Sequence, residues 1–189
     1  MQKNEKPLVL AVILLVITAV VALLLACTDS LTREKIETNT AKEQNEARMA
    51  VMEDASEFEK LDAELDPDGI VTEIYEGKSA SGETVGYCVS VKPNGFGGAI
   101  EMIVGVRSDE SLTGIQIVSL SETPGLGSKA QEPKFKDQFN GKSVKEPLTV
   151  IKSGTAKDNE VMAISGATIS SNAVTSGVNA AAAAVKNLK

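Results

Sequence analysis

The stretch "IVTEIYEGKSASGETVGYCVSV" at residues 70–91 decides the fold of this chain. Its two ends, 70–77 and 84–91, are rich in β-branched and aromatic residues, which favour strands. The intervening "KSASGE" supplies the Gly and Ser residues that are typical of a turn. The pattern therefore predicts a β-hairpin, with Cys88 as a buried free thiol in its second strand.

Further strands and a short helix are predicted downstream of the hairpin. "PKFKDQFNGK" (133–142) predicts a helix with Phe135 and Phe139 on one face, ended by Asn140 and Gly141. Strands alongside terminal helices predict an α+β fold, in which a sheet is backed by helices. The strand segments are "KPNGFGGAIEMIVGV" (92–106, after a glycine-rich turn), "GIQIVSL" (114–120) and "LTVIK" (148–152).

The last helix is predicted from "SSNAVTSGVNAAAAAVKNLK" at residues 170–189. Lys186 and Lys189 lie near its carboxyl end, where positive charge is favourable. The polar residues that open the segment are candidates for its N-cap: Ser170, Ser171 and Asn172.

An apolar run, "LVLAVILLVITAVVALLLA", lies near the amino terminus and has Thr18 as its only polar member. Because about 20 apolar residues cross a bilayer, we expect a transmembrane helix at residues 8–27. Lys3 and Lys6 precede the run, so we expect residues 1–7 to form a cytoplasmic tail and the rest of the chain to be extracytoplasmic.

Two alternatives to a retained span remain open. A cleaved signal peptide has an apolar core of about 7–15 residues, and the longer run here favours retention. "LLAC" at residues 24–27 resembles a lipoprotein processing box with Cys27 as the lipidated residue. In a retained or a lipidated form, the bulk of the chain is attached to the membrane.

The segment that follows, residues 28–66, has irregular apolar spacing and many charged residues. It predicts a mostly solvated juxtamembrane helix and a linker, and Pro67 and Gly69 in "AELDPDGI" (63–70) break the helix. We therefore expect the extracytoplasmic domain to span residues 67–189.

Composition excludes several classes of site. The chain has 189 residues, a formal net charge of -7, no His and two Cys. Without His there is no Ser-His-Asp or Cys-His pair and no imidazole metal ligand. Two distant Cys cannot hold an iron–sulfur cluster, which takes about four thiolates. An acidic chain without clustered Lys or Arg is poorly suited to a phosphate backbone, so no nucleic-acid partner is expected.

Two stretches are candidates for chemistry. In "SETPGLGSK" (121–129), Pro124-Gly125 is typical of a type II turn, and the glycines also allow close approach of a ligand. In "AISGATISSNAV" (163–174), Thr168 lies either at a plain helix start or at a place of attachment. Its hydroxyl would lie near helix amides that favour an anion, but the chain offers no obvious base to activate it.

The order of the motifs, rather than any one of them, carries a family resemblance. The four stretches are "SLTREKI" (30–36), "NGFGGAIEMIVGV" (94–106), "ETPGLG" (122–127) and "SGATISSNAV" (165–174). In this order the set resembles the FMN-binding domain family, and within it the G subunits of Rnf complexes, the ion-translocating ferredoxin:NAD oxidoreductases of bacteria.

The resemblance implies a covalently attached cofactor. In the family, FMN is joined through its phosphate to the threonine hydroxyl, which corresponds here to Thr168. A separate flavin transferase takes FMN from FAD with the help of a divalent metal. Three residues match the rest of the attachment motif: Ser165, Gly166 and Ala167. The "ETPGLG" residues expected to line the flavin pocket are Glu122, Thr123, Gly125, Leu126 and Gly127. The family usually carries an acidic residue where this chain has Met162.

The resemblance also implies a role and partners. The chain would carry electrons between other subunits of a membrane complex that moves Na+ or H+, with no independent catalytic activity. Expected partners are those Rnf subunits, the flavin transferase and the lipid bilayer. One alternative is the C subunit of the Na+-pumping NADH:quinone reductase. Another is a membrane-anchored binding protein without a redox role.

Overall fold

The computed structural model of the chain describes residues 7–62 and 69–188, and the chain divides after Lys42 into two compact units. The predicted tail residues Lys3 and Lys6, the helix break at Pro67 and the terminal Lys189 lie outside the described residues.

The helix α1 (Pro7–Val51) runs through both units. Its described residues up to Lys42 belong to the first unit, and its last turns, from Glu43, belong to the second. Its side chains from Pro7 to Ile36 are exposed. Thr18, the polar residue of the apolar run, donates its hydroxyl to Leu14 O and Leu15 O at 3.0 Å, so it leaves no unpaired donor. Among the described residues, α1 is the one helix long and apolar enough to cross a membrane.

The second unit is built on a five-stranded antiparallel sheet in which neighbouring strands follow one another along the chain. The predicted hairpin is confirmed, and Tyr75 lies opposite Cys88 in it. The strands are β1 (Glu57–Leu61), β2 (Val71–Lys78), β3 (Thr84–Val91), β4 (Ile100–Arg107) and β5 (Leu112–Leu120).

One face of the sheet packs against the last helix, α3 (Thr168–Asn187). Strand β4 alternates, so that every second side chain points to this face, and the same core contains one stripe of the helix. A Cβ at Gly177 would lie 2.5 Å from Met102 Cε, so the helix contacts β4 without a side chain there. The β4 residues in this core are Ile100, Met102, Val104 and Val106, and those of α3 include Val174, Val178, Ala181 and Val185.

The opposite face packs against the end of α1, which differs from the predicted solvated helix and linker at residues 28–66. Ala47 and Val51 are buried, and the helix ends at Val51. The next residue, Met52, is also buried. Its Sδ packs so closely on Gly77 of the sheet that a Cβ at Gly77 would lie only 2.6 Å away. These buried residues cover too few helical turns to give a recognisable helical period in the sequence, because most of the segment around them is charged.

Strand β1 is a second difference, because residues 57–61 were expected to belong to the linker. The segment "EFEKL" pairs with β2 at the edge of the sheet. Its charged residues are typical of a protected edge strand, and only Phe58 and Leu61 are half-buried. Its composition therefore resembles a solvated segment.

The chain between β5 and α3 forms short elements. The helix expected at 133–142 divides into α2 (Pro133–Lys136) and a 3-10 turn that ends at Phe139. Phe135 and Phe139, which were predicted to share one face, are both buried, with their rings in a T-shaped contact at 5.6 Å. Two further strands pair in parallel, β6 (Thr149–Ile151), which was predicted, and β7 (Glu160–Met162), which was not.

Candidate functional site

A cleft of about 370 Å³ forms where two glycine-rich loops meet the start of α3. Most of the residues predicted to contact a cofactor line it, and two predicted residues, Ser165 and Gly125, do not. The lining residues are Phe96, Glu122, Thr123, Leu126, Gly127, Gly166, Ala167, Thr168, Ile169 and Ser170.

Thr168 is the first residue of α3, and Ala167 is the N-cap without a side-chain hydrogen bond. The prediction that Ser170, Ser171 or Asn172 caps the helix is therefore wrong. Among the described residues, none forms a hydrogen bond with the Thr168 hydroxyl, and the side chain is half-buried in the cleft. The first amides of α3 have no acceptor within the helix, so they favour an anion next to this hydroxyl.

The loop before Thr168 is held by Ser171 from inside the helix. The Ser171 hydroxyl accepts a hydrogen bond from Ile164 N at 3.0 Å and donates to Ala167 O at 2.9 Å. Gly166 has φ +78°, a left-handed conformation that glycine adopts at little cost. These contacts fix the backbone immediately before the hydroxyl.

Glu122 connects three segments of the cleft through its buried carboxylate. Its Oε1 accepts hydrogen bonds from Phe96 N at 2.7 Å and Gly97 N at 3.2 Å. Its Oε2 accepts the hydroxyl of Ser170 at 2.8 Å. The sequence marked Glu122 as a pocket residue, but no spacing signal connects it with Ser170, 48 positions away.

The turn at Pro124-Gly125 has the predicted type II features. Leu126 N donates to Thr123 O at 3.1 Å, and Gly125 has φ +75°. Gly127 is needed for a different reason, because a Cβ there would clash with Glu122 Oε2 and lie 2.6 Å from Ser170 Oγ. The space beside Gly127 is thus occupied by the side chains of Glu122 and Ser170 and not by a ligand.

Three exposed apolar side chains border the cleft: Phe96 is 68% exposed, Ile169 55% and Leu126 42%. Within the second unit, at residues 43–62 and 69–188, the one other exposed large apolar residue is Met49. A cluster of exposed apolar side chains marks a binding surface. Sequence reasoning missed Phe96 and Ile169, although an aromatic residue inside "NGFGG" was a possible signal.

The electrostatics of the cleft are simple. Glu122 is the one charged residue among those that line it. The cleft therefore combines an apolar rim, a hydroxyl without a partner, helix amides and a single carboxylate. Its size lies in the range of small-molecule sites, about 300–1,000 Å³.

Comparisons with known proteins identify the family of this chain. The FMN-binding domain family matches residues 95–183, a range that contains every residue of the cleft. The G subunit of the Na+-translocating ferredoxin:NAD+ oxidoreductase complex of Acetobacterium woodii is 43% identical over 95% of this chain and 91% of the relative. The chain belongs to the family of Rnf complex G subunits. The G subunit of an ion-translocating oxidoreductase complex of Methanosarcina acetivorans is 39% identical over 90% of this chain and 89% of the relative.

Solved structures share the fold of this Rnf family member. NqrC of Shewanella oneidensis is 21% identical with a TM-score of 0.53, over 68% of this chain and 66% of the solved one. The C subunit of the Na+-translocating NADH-quinone reductase of Parabacteroides distasonis is 27% identical with a TM-score of 0.53, over 62% of each chain. The match therefore spans about two thirds of the length of these solved chains.

The residues of the cleft fit FMN. The apolar rim suits a flavin ring, and the amides at the start of α3 suit a phosphate. Together with the family, this fit supports a flavin-carrying electron-transfer subunit of a redox complex, held at the membrane by α1.

Proposed function

We propose that this chain carries FMN in a phosphoester bond to Thr168 and transfers electrons within a membrane-bound, ion-translocating ferredoxin:NAD oxidoreductase. The observation that carries the proposal is the Thr168 hydroxyl, which has no hydrogen-bond partner among the described residues and lies in the apolar-rimmed cleft. FMN supplies the redox chemistry, while the protein supplies position and electrostatics.

Attachment requires an outside enzyme. A P–O bond would form between Thr168 Oγ1 and the FMN phosphorus of FAD, the pyrophosphate bond would break, and AMP would leave. The hydroxyl proton would pass to a base of a flavin transferase, since the chain has no His and no carboxylate other than Glu122 lines the cleft. Glu122 already accepts three hydrogen bonds.

The rest of the site would position the flavin. The exposed side chains of Phe96, Leu126 and Ile169 would contact the ring and lose their own contact with water. The first amides of α3 would face the phosphate, which no lysine or arginine of the cleft neutralises. A covalent tether suits such a site, because the proposed location outside the cytoplasm would let a dissociating cofactor escape.

Intact mass of the full chain, purified from a host with the flavin transferase, tests the attachment. The wild-type chain should be heavier than its sequence by one FMN less one water, and Thr168→Val should lack this mass. Thr155→Val is the matched control, because it removes an exposed threonine hydroxyl that lies outside both the cleft and the attachment motif, and its loss should leave the added mass in place. An unmodified wild-type chain, or flavin retained by Thr168→Val through denaturation, would contradict the proposal.

The same spectrum separates the alternatives. A membrane-anchored binding protein without a redox role would show no added flavin, and lipidation of Cys27 would add an acyl mass. The role of the C subunit in an NADH:quinone reductase is favoured only by the shared fold. The curated relatives that cover about nine tenths of this chain are G subunits.

The proposed topology places the amino terminus in the cytoplasm, α1 in the bilayer and the FMN domain outside. The span is supported by the exposed apolar side chains of α1, and the orientation by Lys3 and Lys6, which precede the apolar run. Ser81→Cys places a thiol at an exposed turn of a chain with Cys27→Ser, in which the remaining Cys88 is buried. This thiol should react with a membrane-impermeant thiol reagent in intact cells. Reaction only after lysis would contradict the proposal, because it would place the FMN domain in the cytoplasm.

A further inference from the structure

The carboxylate of Glu122 is buried in the wall of the cleft, and only 7% of the residue is exposed. Three donors point to it: the backbone amides of Phe96 and Gly97 and the hydroxyl of Ser170. Each contact uses the carboxylate as an acceptor, and none requires it to donate. This arrangement is that of an ionised carboxylate.

No counter-ion from the described part of the chain accompanies this negative charge. Among the described residues, no Lys or Arg forms an ion pair with Glu122, and no other charged side chain lines the cleft. The hydrogen bonds that the described residues make to the carboxylate therefore come from neutral donors and not from a cation. A buried charge of this kind is weakly screened by salt and acts strongly on a nearby group.

From this geometry we propose that Glu122 lowers the reduction potential of the flavin held in the cleft. The inference rests on the proposed function, since it requires FMN at Thr168. Electrons taken up by the flavin without an equal number of protons would leave net negative charge beside the fixed carboxylate. The reduced form is thereby destabilised relative to the oxidised form, and the flavin becomes a stronger reductant.

A second role of Glu122 must be separated from this one. The same hydrogen bonds connect the loop of Phe96 and Gly97 with the first turn of α3. Loss of this connection would open the cleft and also change the potential. The test therefore needs a variant that removes the charge but retains the connection.

Glu122→Gln is that variant. The amide oxygen of glutamine accepts from Phe96 and Gly97 as the carboxylate does, and its NH2 group faces the hydroxyl of Ser170, which can accept. In a dye-mediated redox titration of the flavin-loaded full chain in detergent, Glu122→Gln should raise the midpoint potential. Glu83→Gln is the matched control, because it removes the same charge from an exposed turn and should leave the potential at the wild-type value.

Ser170→Ala tests the charge in the opposite direction. It retains the carboxylate but removes one of its compensating donors, so the midpoint potential should fall below that of the wild type. Opposite shifts in the two variants cannot come from a common loosening of the loop. Hydrogen exchange at the amides of Phe96 and Gly97 in chains without flavin reports the connection itself, and Glu122→Gln should keep their protection.

The outcomes separate the two proposals. Wild-type protein without covalent flavin overturns the proposed function. Loaded Glu122→Gln with an unchanged or lower potential, or Ser170→Ala with a raised one, overturns only the role of Glu122. Loss of flavin from Glu122→Gln while both amides stay protected also overturns it, because the charge would then serve attachment rather than the potential.

Discussion

The side-chain amide of Gln138 makes two hydrogen bonds with the backbone of Met162. Its Oε1 accepts from Met162 N at 2.8 Å, and its Nε2 donates to Met162 O at 3.3 Å. Met162 ends β7, a three-residue strand that pairs with β6 and with no other strand of the described chain. Gln138 thus takes the place of a neighbouring strand just before the loop that carries Thr168.

Replacement of Gln138 by Leu should destabilise the second unit. Two hydrogen bonds are lost and two backbone groups lose their partner, so the free energy of unfolding should fall by about 1–3 kcal/mol. The measurement is urea denaturation of the full chain with Cys27→Ser in detergent. Unfolding is monitored by the reaction of the buried Cys88 with a maleimide. Gln131→Leu, at an exposed position without a side-chain hydrogen bond among the described residues, should change little. Equal effects of the two variants would contradict this role.

The Cys88 thiol should be unreactive in the folded chain. Burial raises the pKa of Cys88 to about 12, so almost no thiolate is present at pH 8. Labelling at pH 8 should be slow until urea unfolds the domain. Rapid labelling without denaturant would show that the strand opens in the native state.

The same pKa shift predicts a dependence of stability on alkaline pH. The folded chain holds the Cys88 proton more tightly than the unfolded chain, whose thiol has a pKa near 9.0. The contribution to stability is therefore complete below pH 9 and is lost as the pH rises towards 12. In Cys88→Ala, the decline of unfolding free energy over this range should be shallower, as measured by hydrogen exchange.

Gly177→Ala should disturb the packing of α3 on the sheet. Alanine has the higher helix propensity, by about 1 kcal/mol, but its Cβ would lie 2.5 Å from Met102 Cε and 3.0 Å from Pro93 Cγ. Overpacking should dominate and lower the free energy of unfolding by about 1–3 kcal/mol. Asn172→Ala on the exposed face of the same helix is the control, with a change within about 0.5 kcal/mol. A stabilised Gly177→Ala would show that Met102 moves away at no cost.

Glu73→Gln should weaken the contact between the end of α1 and the sheet. Glu73 lies 2.6 Å from Lys60 Nζ and 3.9 Å from Arg48, which is buried with its guanidinium 3.7 Å from the centre of the Tyr75 ring. Loss of the carboxylate leaves Arg48 without a counter-ion among the described residues. The free energy of unfolding should fall by about 1 kcal/mol, since solvent screens the Lys60 side of the cluster.

Lowering the pH should reduce the free energy of unfolding as Glu73→Gln does, because it protonates the same carboxylate. The hydrogen bond from Lys60 holds the pKa of Glu73 below its ordinary value of 4.5, and burial partly opposes it. The stabilisation is present above pH 4.5 and is lost as the pH falls through the lowered pKa of the folded state. Glu59→Gln, which removes an exposed partner of Lys78, is the control and should leave stability nearly unchanged. Similar effects of both substitutions would contradict a special role for Arg48.

The elements that could be predicted from sequence are those whose pattern is local. β2 and β3 carry enough β-branched residues, and a polar turn between them, to specify a hairpin. β1 could not be predicted in this way, because a charged edge strand has the composition of a linker. β7 is too short for any period, and its position depends on Gln138, 24 residues away.

The candidate site also has contacts that could be predicted from the sequence and contacts that could not. Ordered motifs predicted that Glu122, Leu126 and Thr168 belong together, and the structure brings them to one cleft. The start of α3 was predicted two residues late because the serines of the first turn resemble caps. Ser170 instead bonds with Glu122, a contact that exists only when the sheet and helix have closed on each other.

The burial of Ala47 and Val51 against the sheet bears on how a soluble fragment can be made. A cut at residue 67, the predicted start of the domain, would remove these side chains and all of β1. β2 would become an unprotected edge open to pairing with other molecules, and the cover over Cys88 would be lost. A fragment that begins at Glu43 keeps both features while discarding the apolar run.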